Sequence, residues 1–143
     1  MSTTARPKIP AHLGIAHMII ELEDDASGDL LGVLDDGIAF IDEARTQGGK
    51  VLVHCLQGIS RSGAVLVAYI MKTLCLRYDA ALELARKDRS IIDISPGFAA
   101  QLGMWEGMGY NVRNGNGVEK EVYRVWKEGR GKELAEEEEG GSE

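Results

Sequence analysis

The sequence predicts an α/β fold: a mostly parallel sheet flanked by helices, with one strand feeding a strand-loop-helix anion site. Three observations carry that expectation. Apolar runs of strand character alternate along the chain with stretches of helical periodicity, as a helix-covered parallel sheet requires. The run Val51-Leu52-Val53 leads directly into His54-Cys55 and a glycine-containing loop. That loop ends at Arg61, where a long apolar helix begins. At 143 residues, 44% of them hydrophobic, the chain suffices for one domain around one core. No internal repeat is visible.

Residues 1–14, with Pro7, Pro10 and several hydroxyl residues, read as an unpaired, disordered leader, a short targeting sequence being the alternative. The folded domain is expected over 15–128. Within it, 16–22 is a candidate strand. A helix is expected over 30–46, because Leu34, Ile38 and Ile41 fall at i, i+4 and i+7 and Gly48-Gly49 follows. The short buried strand 51–54 comes next. The stretch 61–74 is apolar almost all round, as a central helix packed on a sheet should be. A short helix spans 79–88, and Pro96 opens another with Phe98, Leu102 and Trp105 on one face. The last helix is expected over 118–127, with Val122 and Val125 continuing the apolar stripe. Residues 129–143, with four consecutive glutamates, read as an acidic disordered tail.

Composition narrows the function classes. The net charge is −7, but five of those charges lie in 131–143, so the body is near neutral. That argues against a direct nucleic-acid footprint. The longest apolar run, from Ala64 to Met71, is eight residues, far below a membrane span, so no membrane partner is expected. Two cysteines, Cys55 and Cys75, make neither a disulfide framework nor a CxxC zinc site. With no signal peptide visible, they favour a reducing compartment, the cytoplasm or the nucleus. No metal and no cofactor are expected. Cys75 reads as a buried small hydrophobe, with a resolving thiol for Cys55 as the lesser alternative. His12 and His17 carry no motif.

The chemistry concentrates between Val51 and Gly63. The order strand, cysteine, five-residue loop, arginine and helix start places the Cys55 thiol inside a ring of backbone N–H groups closed by a guanidinium. Such a ring binds a tetrahedral dianion, because amide donors and the positive helix end converge on it. The same field favours the thiolate. Leu56, Gln57, Gly58, Ile59, Ser60 and Arg61 are therefore the candidate binding residues. The bland alternative is a buried cysteine ending a strand and a surface arginine on a helix.

The string His-Cys-Leu-Gln-Gly-Ile-Ser-Arg-Ser-Gly resembles the signature of the dual-specificity protein phosphatases, which are cysteine-dependent. The resemblance implies a phosphatase-type fold and hydrolysis of phosphorylated protein side chains, on tyrosine and also on serine or threonine. Cys55 would attack phosphorus, forming a phosphocysteine intermediate. Arg61 would grip two phosphate oxygens with its planar fork. Ser62 matches the family's hydroxyl that bonds the cysteine sulfur, and His54 matches the histidine that orients the loop. The acid should be an aspartate about thirty residues upstream. Register over Phe40-Ile41-Asp42-Glu43-Ala44 and Gly48-Gly49-Lys50-Val51 puts Asp24 there, with Asp25 as runner-up. Asp29 reads as a helix-start charge. Leu56, Gln57 and Ile59 are uncharged, whereas inositol-lipid phosphatases of this superfamily carry lysines in the loop, so a phosphoprotein substrate fits better.

The segments 101–110 and 123–127 are similar to the branch that carries a C-terminal zinc-binding domain and is linked to assembly of the large ribosomal subunit. This chain stops before such a domain, so zinc binding is not implied, and pre-ribosome association rests on the resemblance alone. Only 23 residues precede Asp24, so the N-terminal part of the sheet is expected to be shortened. The competing class is an inactive or weakly active phosphatase-like binding module or assembly factor. Thiol loops of the arsenate-reductase kind are a remote third reading.

Overall fold

The computed structural model describes residues 9–25, 27–56 and 59–141. Five helices follow a single 3-10 turn at Ala11–Leu13: α1 (Leu31–Thr46), α2 (Arg61–Leu74), α3 (Tyr78–Asp88), α4 (Pro96–Gly107) and α5 (Glu121–Gly140). Helix α2 is central and packs against α1, α3 and α4. The reason lies in its sequence: Ala64, Val65, Val67, Ala68 and Met71 bury a face too wide for one neighbour. Helix α1 meets it with Leu34, Ile38 and Ile41, the expected i, i+4, i+7 stripe. From α4 come Phe98, Leu102 and Trp105, all essentially inaccessible. Pro96 occupies the first turn of α4, where its missing N–H costs nothing.

The expected parallel sheet has no counterpart among the described residues, whose one β-bridge joins Arg113 and Glu119. Segments 16–22 and 51–54 carry no strand ladder. Val51, Val53 and Cys55 are nevertheless half-buried while Leu52, His54 and Leu56 are exposed, the alternation of an extended chain laid on the helices. Leu52 is 83% exposed. A ladder needs a neighbouring strand about 4.8 Å away, and β-branched sequence alone cannot supply one.

Three further departures from the sequence reading have local causes. Helix α5 starts at Glu121 rather than 118, because Val112–Lys120 backbone bonds and the Asn114 side chain close a turn that takes up Val118. Its buried residue is Tyr123, with Trp126 packed beside it, while Val122 and Val125 are more than half exposed. Aromatic area outbids the valines for the core-facing stripe. Residues 129–140, expected as a disordered tail, run on as helix, in keeping with the helix propensity of Lys, Leu, Ala and Glu. Cys75 is exposed, not buried: it ends α2 in the left-handed conformation (φ 53°, ψ 42°) that turns the chain toward α3. The first eight residues of the expected leader lie outside the described residues. No helix of the described chain is long and apolar enough to cross a membrane.

Candidate active site

Segment 51–55 delivers Cys55 to the N-terminus of α2. Cys55 Sγ lies 3.2 Å from Ser62 Oγ, and Ser62 is buried in the first turn. Among the described residues, the N-cap residue Ser60 makes no side-chain cap bond to α2. Ser60, which occupies the N-cap position, accepts a bond from the Ser95 N–H at its Oγ instead (3.1 Å). The first-turn N–H groups of a helix point outward toward whatever anion lies there. The Asp93 N–H donates to Ile59 O (3.2 Å), so the loop's second arm is tied to 93–95 on both sides. Gly63 makes this approach possible: a Cβ there would stand 2.9 Å from Ile92 Cγ2.

Arg61, half-buried, donates from Nη1 to Leu22 O (3.3 Å). The guanidinium thus ties the cysteine loop to the segment that carries Asp24, two residues further on. Asp24 itself is exposed on that segment. Asp25 behaves differently. Its Oδ1 accepts from the Ser27 hydroxyl (2.5 Å) and the Ser27 N–H (2.7 Å). Those bonds hold its carboxyl below the usual range, a poor state for a proton donor. Leu56 is 85% exposed and Ile59 half-buried, while Gln57 and Gly58 lie outside the described residues. His54 is exposed.

Sequence reading missed the residues that shape the segment between Asp24 and α1. Gln101, buried on α4, accepts the Leu30 N–H (2.9 Å) and Leu31 N–H (3.4 Å) and donates to Gly28 O (2.9 Å). Asp29 accepts the Gly32 N–H at Oδ1 (3.0 Å), the helix-start role expected of it, and the Tyr123 hydroxyl at Oδ2 (2.7 Å). Burial first, then Asp29, pushes the Tyr123 phenol well above its ordinary value. The available signal was Gln101 itself: a polar residue adjoining Leu102 on an apolar face must bond something.

Residues 2–108 match the family model described as dual specificity phosphatase, catalytic domain. The chain belongs to this family. It is 37% identical over 130 residues to mouse dual specificity protein phosphatase 12, covering 89% of this chain and 38% of the relative. The human protein of that name is 39% identical over 104 residues, 73% of this chain and 30% of the relative. The chain therefore spans well under half the length of these curated relatives. Among solved structures, the Yvh1 phosphatase domain from Chaetomium thermophilum superposes with a TM-score of 0.64 at 31% identity, covering 70% of each chain. The human tyrosine phosphatase-like serine/threonine/tyrosine-interacting protein gives 0.60 at 35%, covering 62% of this chain and 59% of its own. These two structures thus share the fold over more than half of this chain.

Proposed function

We propose that the chain is a metal-independent protein phosphatase acting on phosphotyrosine, and on phosphoserine or phosphothreonine where they reach the thiol. The observation that carries this reading is the Cys55–Ser62 contact of 3.2 Å at the N-terminus of α2, where Arg61 begins the helix. The Cys55 thiolate attacks phosphorus as the ester P–O bond breaks, and Asp24 protonates the departing oxygen. Loop N–H groups from 56 to 61 and the Arg61 fork hold the phosphoryl oxygens through the transition state. Water then attacks phosphorus, its proton passing to the Asp24 carboxylate while the S–P bond breaks. The Ser62 hydroxyl steadies the departing thiolate. Asp24 is favoured over Asp25 because the latter's carboxylate is already engaged by Ser27.

The uncharged loop side chains Leu56, Gln57 and Ile59 favour a single-phosphate protein substrate over a multiply phosphorylated lipid. Segments 16–22 and 51–54 are proposed as what remains of the family's sheet. Likeness to dual specificity protein phosphatase 12 and to the Yvh1 domain supports a place in the ribosome-assembly branch. Association with pre-ribosomes, in cytoplasm or nucleus, is proposed on that resemblance alone. The decisive experiment is hydrolysis of 4-nitrophenyl phosphate in the presence of EDTA. Turnover is expected in the wild type, blocked by vanadate and abolished in Cys55→Ser; undiminished turnover in Cys55→Ser overturns the reading.

A further inference from the structure

The stretch between Asp24 and α1 is gripped from two sides, and one grip lies outside the matched family region. On the α4 side Gln101 holds Gly28 O and the first N–H groups of α1. On the other side stands α5, which begins at Glu121, beyond residue 108 where the family match ends. Tyr123 donates its hydroxyl to Asp29 Oδ2 at 2.7 Å. Two turns later Arg130 Nη1 donates to Ser27 O at 3.0 Å. Residues seven apart share a helix face, so one face of α5 engages two points of one short segment.

Both donors are themselves held. The Tyr123 ring is buried and stacks on Trp126, with centroids 6.1 Å apart. The Arg130 guanidinium lies 4.8 Å from the centre of the Trp126 ring. What they hold touches the residues on either side of the acid. A Cβ on Gly28 would stand 1.9 Å from Glu23 O, so the backbone at 28 abuts the residue preceding Asp24. The Gly28 N–H donates to Asp25 O (3.2 Å), and Ser27 bonds the Asp25 carboxylate. A shift of 27–29 therefore moves 23–25 with it.

We propose that α5 clamps the acid-bearing segment, with Tyr123 and Arg130 as positioning residues for Asp24. The proposal rests on the reading of Asp24 as general acid, and the test separates the two. A misplaced acid matters when the leaving oxygen is basic and hardly at all when it is not. Turnover is therefore compared on phenyl phosphate and on 2,4-dinitrophenyl phosphate, in the full chain, with thermal unfolding recorded for each variant. Asp24→Ala should lose far more on phenyl phosphate. Tyr123→Phe and Arg130→Met should shift the same ratio in the same direction by at least about threefold, part of what general acid catalysis supplies. Arg130→Lys should restore most of it.

A merely structural role lowers both substrates alike by lowering the folded fraction. If Asp24→Ala shifts the ratio and neither α5 variant does, the clamp is overturned and the acid assignment stands. If Asp24→Ala leaves the ratio unmoved, the acid assignment falls and the clamp with it. Should Tyr123→Phe unfold, Arg130→Met decides alone, since Arg130 is only partly buried on the helix surface.

Discussion

At the scale of single residues, the most informative contact is Cys55 Sγ to Ser62 Oγ. A hydroxyl there stabilises a thiolate that leaves, so its removal should slow breakdown of the phosphoenzyme more than its formation. Ser62→Ala is therefore expected to show a burst of 4-nitrophenolate close to one per chain, followed by a slow steady rate. Rapid-quench or stopped-flow measurement checks this, and a uniform slowing with no burst contradicts it. The pair was legible in the sequence through the family resemblance, whose motif sets a hydroxyl after the arginine to bond the cysteine sulfur. Gln101 with Gly28, and Tyr123 with Asp29, are separated by 73 and 94 positions, and no local spacing rule joins them. Asp24 falls in between: resemblance to the family over 40–51 already put it ahead of Asp25, and the Ser27 bonds that engage Asp25 support that proposed choice.

At the scale of elements, periodicity located α1 and α4, and an apolar run located α2, because each buries enough surface to dominate its own sequence, whereas α3 buries only Ala81 and Ala85. Periodicity misjudged α5, where two valines and two aromatics offer competing faces and tertiary contact chooses. It also implied strands that acquire no partner among the described residues, since a ladder is a property of two segments and a pattern belongs to one. The close approach of α2 to Ile92 gives a sharp test. Gly63→Ala places a methyl 2.9 Å from Ile92 Cγ2 near the base of the candidate anion site. Overpacking of this kind costs about 1–3 kcal/mol. Ile92→Ala alone leaves a cavity and costs about 2–5 kcal/mol. The double variant should be more stable than the two losses added together predict, with a coupling of order 1 kcal/mol, read from urea midpoints. Strict additivity means that α2 yields and the close approach is not constraining.

At the scale of the whole molecule, the cysteine loop, the Asp24 segment and the helical core are linked through Arg61 to Leu22, Ile59 to Asp93 and Gln101 to Gly28. An anion seated among the loop amides binds only where those links exist, so it should stabilise the folded chain as one unit. Tungstate, a tetrahedral dianion, tests this without turnover. At a concentration near 100 times its dissociation constant, linkage supplies about 2.7 kcal/mol. For a chain of this size that corresponds to a rise in Tm of roughly 8 °C. Asp24→Ala should keep the full rise, because the acid meets the leaving oxygen rather than the held anion. Arg61→Lys should lose most of it, since an ammonium cannot reproduce the planar two-point grip. Equal stabilisation of wild type and Arg61→Lys would mean that the anion binds elsewhere. No rise at all would mean that the amides around Cys55 do not form a receptor in solution, and the proposed phosphatase chemistry would have no site.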